Sequence, residues 1–420
     1  MSSVIQLGYK WTEVGIIPND WKVVSLGEIG SCLIGLTYSP SNVKNHGTLV
    51  LRSSNIQNGT LTLEDNVYVD SAIPERIVVQ DGDILICVRN GSRRLIGKCA
   101  LLDQRVAGQT FGAFMSVFRT SDSAFVFHQF QSNLIKRQID ENIGATINQI
   151  TNANLNAFKI PFPTDPQERI TIARAMSDVD TLINSLDQLI TKKRNIQQAT
   201  MQYLLTGQRR LPGFSGAWDV KPMRALGNTY GGLAGKTKID FGHGEARYIP
   251  FMNVMTDTVI DASWLEPVDV APDEAQNLAK KGDLFFNGSS ETPEEVGFCS
   301  VLLEEIPNLY LNSFCFGFRF NTTAKVNGLF FAYWFRSKAG RAAMSVLAQG
   351  ATRYNIAKSA FMQLEIPQPS EEEQTAIATV LSDMGAELAA LEARRDKASQ
   401  IKQGMMQELL TGKIRLLSNN

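Results

Sequence analysis

The chain has 420 residues, of which 44% are hydrophobic and 20% are charged, an ordinary composition for a globular protein. Its length predicts two or three domains. With 41 Lys and Arg against 42 Asp and Glu, the net charge is −1. This argues against a free-standing DNA-binding protein, which usually carries a clear positive excess, although a basic face can be offset by acidic residues elsewhere.

The sequence contains no apolar run of about 18 residues, so no membrane span is predicted. Residues 1–10 also lack the pattern of a secretory signal. The five cysteines are odd in number and show no Cys-x-x-Cys spacing, which predicts reduced, mostly core-filling thiols in a cytoplasmic protein.

The first globular region, residues 21–160, alternates apolar runs with turns. Residues 84–88 and 114–118 are predicted strands, and residues 125–139 are a predicted helix that precedes a Gly-Ala-Thr triplet at 144–146. These patterns predict a mixed α/β domain with a curved sheet.

The loop at residues 89–94 combines guanidinium and amide groups with a glycine. Arginine reads guanine edges and asparagine reads adenine edges in the major groove, and spare charges reach phosphates. An ordinary basic turn is the alternative interpretation. The candidate DNA-contacting residues of this region are Arg52, Asn55, Arg89, Asn90, Ser92, Arg93, Arg94 and Asn148.

A long helix is predicted from Pro166 to Thr206, because this stretch has no internal glycine or proline and its apolar residues recur every seven positions. About 40 helical residues span roughly 60 Å at 1.5 Å each. The residues predicted to pack against a partner helix are Ile172, Val179, Leu182, Leu186, Leu189, Ile196 and Tyr203.

The second globular region, residues 218–366, has the same kind of pattern, with a predicted strand at 314–320 and a helical patch at 329–347. Its loop at 287–290 is neutral where the first region is basic, so the two regions cannot contact DNA identically. The candidate DNA-contacting residues here are Lys236, Lys238, Asn253, Asn287, Ser289, Arg353 and Tyr354.

A second long helix follows, with Ile377, Met384, Leu391, Ala398 and Met405 on the same seven-residue register. The two helices are predicted to pack as an antiparallel coiled coil, because each must begin and end beside a globular domain. Gly207 and Gly412 are predicted to cap the helix C-termini.

The chain repeats itself. Trp21 matches Trp218, Glu168 matches Glu373, and Leu-Leu-Thr-Gly occurs at 204–207 and 409–412. The predicted fold class is therefore α+β, with two pseudo-symmetric mixed α/β domains separated by two long helices. The predicted segments are 1–163, 164–208, 209–369 and 370–416. Because the globular interiors diverge while the helices stay similar, the repeat favours two different targets held in a fixed geometry over an ordinary structural duplication.

Catalytic motifs are missing from the sequence. The stretch 230–237 is similar to a phosphate-binding loop, but Tyr230 stands where that motif needs glycine. The three histidines, His46, His128 and His243, are far apart and lack metal-ligand spacing. We therefore expect a non-catalytic chain. A stand-alone nuclease or methyltransferase and a coiled-coil scaffold without sequence-selective DNA binding are the alternatives.

The order of these motifs resembles the specificity subunit of type I restriction–modification enzymes over nearly the whole chain. Gly-Ala-Thr, Ile-Pro-x-Pro, Glu-x-x-x-Ile-Ala and Leu-Leu-Thr-Gly follow one another twice, and Trp21 to Gly27 resembles the opening of that family. The family usually has Pro-Pro before Glu-Gln at each helix start, and here both copies depart from this.

The resemblance implies that each globular region is a target recognition domain that reads one half of a split, asymmetric DNA sequence. It implies helices that set the unspecified spacer and bind two methyltransferase subunits, which bring S-adenosylmethionine for adenine N6 methylation. A restriction subunit with ATP and magnesium would join them for cleavage. By this resemblance the chain itself holds no cofactor or metal, and contacts no membrane.

Overall fold

A computed structural model describes residues 7–144 and 148–416. The chain forms two compact units, one of Met1–Asp187 with Ala393–Asn420, and one of Gln188–Glu392. Each unit therefore contains the beginning of one long helix and the end of the other. The four linear segments stay a prediction. Within the first Gly-Ala-Thr triplet, Ala145 and Thr146 lie outside the described residues.

The first unit carries a set of short strands and helices around a four-stranded sheet. Its strands are β1 (Tyr9–Thr12), β2 (Gly15–Pro18), β3 (Lys22–Ser25), β4 (Ser31–Ile34), β5 (Val43–Lys44), β6 (Thr48–Leu51), β7 (Ile56–Gln57), β8 (Thr60–Leu61), β9 (Tyr68–Val69), β10 (Ile84–Cys87), β11 (Cys99–Leu101), β12 (Thr110–Phe111), β13 (Met115–Arg119) and β14 (Lys159–Phe162). Its helices are α1 (Leu26–Ile29), α2 (Ser123–Phe130), α3 (Asn133–Asn142), α4 (Asn152–Ala157) and the first part of α5 (Pro166–Leu205).

The central sheet of this unit has the strand order β11-β10-β13-β4 and is antiparallel throughout. Strand β10 is buried on both faces. Ile84 and Ile86 contribute to one hydrophobic cluster, with α2, and Leu85 and Cys87 contribute to another, with β6 and β12. Because side chains alternate across a strand, an all-apolar run of this kind requires cover on both sides.

The second unit repeats this plan. Its strands are β15 (Asp219–Pro222), β16 (Gly227–Gly231), β17 (Phe241–Ile249), β18 (Glu266–Val268), β19 (Leu284–Asn287), β20 (Ser289–Ser290), β21 (Cys299–Val301), β22 (Leu309–Leu311), β23 (Cys315–Phe320), β24 (Ala348–Gln349), β25 (Tyr354–Ile356) and β26 (Glu365–Gln368). Its helices are α6 (Met223–Leu226), α7 (Phe251–Thr256), α8 (Gly328–Arg336), α9 (Lys338–Val346), α10 (Lys358–Gln363) and part of α11 (Glu371–Leu409), with the end of α5.

The two central sheets share their strand order and their register. The second sheet runs β21-β19-β23-β16, matching the first strand for strand. Ile84 pairs with Phe118 in the first unit, and Leu284 pairs with Phe318 in the second. The duplication predicted from the sequence is therefore confirmed, with mixed helix and sheet content in each unit.

The long helices run antiparallel in both units, as predicted. In the first unit Lys402 lies 2.6 Å from Asp180, and Arg395 lies 3.1 Å from Asp187. In the second unit Lys193 lies 2.6 Å from Glu387. Gly207 and Gly412 follow the helices with φ of 69° and 73°, the left-handed conformation expected of a C-terminal cap. Among the described helices, none is long and apolar enough to cross a bilayer.

The packed seam of the helices differs in part from the prediction. The predicted residues that lie on the inward, buried or half-buried face are Ile172, Val179, Leu186, Ile377, Met384, Leu391 and Met405. The placement of Leu182, Leu189 and Ile196 in the seam was wrong, because they are 40%, 38% and 43% exposed. The placement of Tyr203 in the seam was wrong for the same reason, because it is 39% exposed.

The first position of the seam is occupied by Ile172, Val179 and Leu186. The second position is occupied by Met176, Ile183 and Ile190, each four residues after a residue of the first position. Apolar residues occur both three and four residues after the first seam position. A seven-residue spacing is satisfied by either choice, and only the contacts of the folded helix select one.

All five cysteines are free, and four of them are buried while Cys32 is half-buried. Burial raises the pKa of Cys99 and of Cys315 to about 12. The thiolate is the reactive form, so these side chains act as small core residues.

Candidate nucleic-acid interface

A buried Trp–Glu–Arg cluster holds the first unit together. The indole Nε1 of Trp21 donates to Glu168 Oε2 at 3.0 Å, and Arg415 donates from Nε and Nη2 to the same carboxylate at 2.5 and 2.8 Å. Arg415 also contacts Asp20 at 2.8 Å. This contact lowers the pKa of the Asp20 carboxyl, and the hydrogen bonds to Glu168 and then to Asp20 raise the pKa of Arg415. The cluster ties the globular part to the start of α5 and to the segment after α11.

The second unit contains the same cluster. Trp218 Nε1 donates to Glu373 Oε2 at 3.0 Å, and Arg210 donates from Nε and Nη2 to that carboxylate at 2.5 Å each. Both glutamates are 1% exposed. The sequence comparison found the tryptophans and glutamates but missed the arginines, although Arg210 and Arg415 keep the 205-residue offset of the helix ends.

The basic loop of the first unit meets a second loop from the end of the same domain. The backbone amide of Asn90 donates to the backbone carbonyl of Asn148 at 3.2 Å, and the side-chain Nδ2 of Asn148 donates to the Gly91 carbonyl at 3.0 Å. Two predicted segments, 89–94 and the stretch around 148, are thus brought together, and Asn90 and Asn148 are half-buried between them. These hydrogen bonds hold the two loops together, and the same two residues also line the surface.

The charges of this surface are exposed. Arg89, Ser92, Arg93 and Arg94 are all exposed. Arg93 Nη2 donates to the Asp140 carbonyl at 3.1 Å and lies 3.8 Å from the Asp140 carboxylate, but both side chains are more than half exposed, so these contacts contribute little in water. Arg94 forms no hydrogen bond or ion pair with any residue in the described part of the chain. These guanidinium groups are therefore available to phosphates or base edges.

Sequence reasoning missed one residue of this surface. Phe114 precedes β13 and is 57% exposed, with the Arg89 guanidinium 5.0 Å from its ring centre. The amides of Val88 and Arg89 both donate to the Phe114 carbonyl at 3.1 Å. The apolar run containing Phe114 suggested a buried strand residue. No local signal in the sequence separates Phe114 from the strand that follows it, and only the structure places it outside β13.

The second unit places an equivalent pair on its own surface. Phe314, immediately before β23, is 58% exposed, and the Arg353 guanidinium lies 5.7 Å from its ring centre. Tyr354 is half-buried in β25, where it pairs with Ser290. The neutral loop after β19 and the loop before β25 are thereby joined in one surface.

Four predicted contacts are buried, and direct DNA contact by them is incompatible with that burial. Asn55, Asn253 and Asn287 are 0% exposed, and Ser289 is 8% exposed. Each asparagine bonds through its amide to nearby backbone, as when Asn287 Nδ2 donates to the Glu295 carbonyl at 2.9 Å. A polar side chain can be satisfied by its own loop, so these residues shape loops and do not face a ligand.

Two further predicted cations are already paired. Lys236 has an 8% exposed side chain and contacts Glu274 at 2.5 Å. The hydrogen bond from Lys236 is the main cause that lowers the pKa of Glu274 to about 2. Arg52 pairs with Asp65 at 2.9 Å and is 34% exposed. Lys238 is exposed and remains a candidate.

The two units share the same sheet and the same Trp–Glu–Arg cluster but carry different polar loops. This arrangement is typical of a duplicated protein whose two parts recognise different targets. The chain belongs to the type I restriction–modification specificity family. The family model described as "Type I restriction modification DNA specificity domain" matches residues 18–218 and 277–402. The two matched regions correspond to the duplication, so the resemblance seen in the sequence is confirmed.

Curated relatives agree with this assignment. Over 199 residues the chain is 27% identical to the type I restriction enzyme EcoKI specificity subunit of Escherichia coli, covering 45% of this chain and 42% of that protein. Similarity to the StySPI specificity subunit of Salmonella potsdam covers 44% of that protein. The chain thus spans less than half the length of these two relatives. A putative MjaX specificity subunit of Methanocaldococcus jannaschii is 23% identical with 97% of both chains covered.

Solved structures show the same fold. The type I S subunit of M. genitalium superimposes with a TM-score of 0.58 at 14% identity, covering 93% of this chain and 96% of that one. A chain from a structure of a type I restriction–modification system, described for its complex assembly and conformational transition, gives a TM-score of 0.53 at 18% identity, with 95% and 99% covered.

Proposed function

We propose that this chain selects DNA sequence for a type I restriction–modification complex in the cytoplasm. Each globular part reads one half of a bipartite, asymmetric DNA site, and the two long helices fix the unspecified spacer between the halves. The observation that carries the proposal is the repeated Trp–Glu–Arg cluster, which holds each unit in the same way while the loops above the sheets differ in charge and sequence.

The near-neutral charge is compatible with this role. The exposed cations of the candidate loops are Arg89, Arg93 and Arg94 in the first unit and Arg353 and Lys238 in the second. Much of the affinity of protein–DNA complexes comes from phosphate contacts, which a partner subunit can share. The two loop sets differ, so they suit two different half-sites.

The helices would bind the methyltransferase subunits. Leu189, Ile196 and Tyr203 recur every seven residues on α5, outside the seam, and each is 38–43% exposed. Such a stripe on a surface helix favours a protein partner. That partner would supply the methyl donor and the adenine chemistry, which requires the target base to leave the stack. This chain would only position the DNA.

Exchange of one globular part tests the proposal. Residues 218–366 are replaced by those of a relative, the hybrid is produced with its methyltransferase subunit, and methylated adenines are mapped across the host genome. One half of the methylated sequence should change and the other half should stay. The reciprocal exchange of residues 21–160 is the matched control and should change only the other half.

Changes in both halves would contradict modular reading. A complex that assembles but methylates without sequence preference would favour the scaffold alternative. DNA cleavage or methylation by the purified chain alone would favour the stand-alone enzyme.

A further inference from the structure

The exposed phenylalanines of the two units are structurally equivalent. Phe114 and Phe314 are 200 residues apart in sequence, and each precedes a strand that occupies the same position in its sheet. More than half of each ring faces water. Scattered exposed apolar residues are common, so exposure alone indicates no function. Two further features set this pair apart.

The first feature is the tight backbone packing behind each ring. A side chain at Gly35 would collide with the carbonyl oxygens of Phe111 and Gly112, and one at Gly232 would collide with the Asn312 carbonyl oxygen. Close approach of two backbones needs glycine. In both units a glycine therefore allows the residue that follows a strand, β4 or β16, to pack closely against the turn that presents the phenylalanine.

In the second unit the turn is also fixed by a buried side chain. Asn312 is 6% exposed, accepts a hydrogen bond from the Phe314 amide at 2.9 Å and donates to the Ile249 carbonyl at 3.0 Å. In the first unit the Met115 amide donates to the Gly112 carbonyl at 2.8 Å. The rings are thus presented from ordered turns and not from loose loops.

The second feature is an arginine over each ring that comes from a different part of the chain. Arg89 follows β10, whereas Arg353 precedes β25. At the 200-residue offset of the sheets, the counterpart of Arg89 is Ser289, which is buried. The same phenylalanine–arginine pair is therefore built from unlike segments in two units whose loops otherwise diverge.

We propose that Phe114 and Phe314 are wedges that stack on DNA bases, one in each half-site, with Arg89 and Arg353 binding the adjacent phosphates. The inference rests on the proposed function. Apolar wedges can enter a base step and bend the duplex, and an aromatic ring can stack on any base. An exposed cation–π contact is weak, so the guanidinium can leave the ring for a phosphate.

The test uses the chain in complex with its methyltransferase subunit and a duplex containing the mapped methylation site. 2-Aminopurine replaces one base other than the target adenine in either half, because its fluorescence rises when stacking on its neighbouring bases is lost. Phe114→Ala should weaken binding about 5- to 140-fold, the range expected when one aromatic ring no longer stacks on a base. It should also reduce the fluorescence rise in one half only, and Phe314→Ala should do the same in the other half.

Two variants serve as controls. Phe114→Trp keeps a planar ring that can stack on a base and should retain affinity. Trp11→Ala removes an aromatic side chain that is 59% exposed on the β1–β2 hairpin, and should change neither signal. All four variants alter exposed side chains, so their urea unfolding midpoints should match the unmodified chain.

Sequence-specific methylation and binding that survive both alanine substitutions, with an unchanged fluorescence rise, would overturn the wedge and leave the proposed function standing. Failure of Phe114→Ala to assemble with the methyltransferase subunit would overturn it too, because the ring would then be a protein contact. If the unmodified complex shows no sequence preference, both proposals fail.

Discussion

Removal of the Arg415 side chain should destabilise the first unit strongly. Glu168 is 1% exposed, and Arg415 is the cation that contacts it, through two hydrogen bonds. In Arg415→Ala the Trp21 indole would still donate to the carboxylate, but the negative charge would stay buried without its positive partner. Asp20 would lose the same guanidinium, at an exposed position where the effect is small.

The magnitude follows from burial. Breaking a buried ion pair by removing one partner costs about 3–5 kcal/mol. Because Arg415 is 21% exposed and water can reach part of the site, we expect the lower end, about 3 kcal/mol. The matched control is Arg105→Ala. Arg105 also binds a carboxylate through two nitrogens, but the pair is 59% and 46% exposed, so about 0.5 kcal/mol or less is expected.

Urea unfolding at pH 7, followed by tryptophan fluorescence, measures the free energy of unfolding of each variant. Adding Glu168→Gln to Arg415→Ala should recover part of the stability, because the uncompensated charge is removed. Equal destabilisation by Arg415→Ala and Arg105→Ala, or no recovery in the double variant, would show that the cluster does not stabilise the unit in this way.

Burial lowers the pKa of His128 from 6.5 to about 4, so the unfolded chain binds a proton at this site before the folded chain does as pH falls. The free energy of unfolding should therefore fall between about pH 6.5 and pH 4, by no more than about 1.4 kcal/mol per pH unit. His128→Gln should flatten this pH dependence, measured by the urea midpoint, whereas His46→Gln, at an exposed position, should not. Parallel curves for the unmodified chain and both variants would contradict the argument. Replacing Arg93 and Arg94 by Ala should weaken DNA binding by the complex and reduce the slope of log affinity against log salt by about 0.9 for each phosphate that the variant no longer neutralises. Unchanged affinity and slope, as expected for Arg105→Ala, would remove this loop from the interface.

The sequence determined the architecture because its signals are local and doubled. An uninterrupted heptad pattern specifies a long helix wherever it occurs, and Pro166–Leu205 and Glu371–Leu409 follow it closely. The all-apolar run at β10 specifies a strand covered on both faces. The 205-residue offset between the helices identified the repeat, and the order of its motifs indicated the family.

The interface depended on contacts that no local pattern contains. Asn55 and Asn287 are polar loop residues in sequence, yet both turn inward because backbone groups in their own loops satisfy them. The helix seam uses the apolar residues four positions after Ile172, Val179 and Leu186, and it leaves exposed those three positions after, such as Leu189. The two stripes are equally apolar in the sequence, so only contact with the packed partner helix selects one of them.

The pairing of distant residues was likewise decided by the tertiary structure. Arg415 bonds to Glu168 across 247 residues, and Arg353 reaches Phe314 from the segment before β25, whereas Arg89 reaches Phe114 from the loop after β10. Periodicity and residue type fix which face of an element is apolar. Which charged or aromatic side chains meet on that scaffold depends on chain segments that come together only when the whole unit folds.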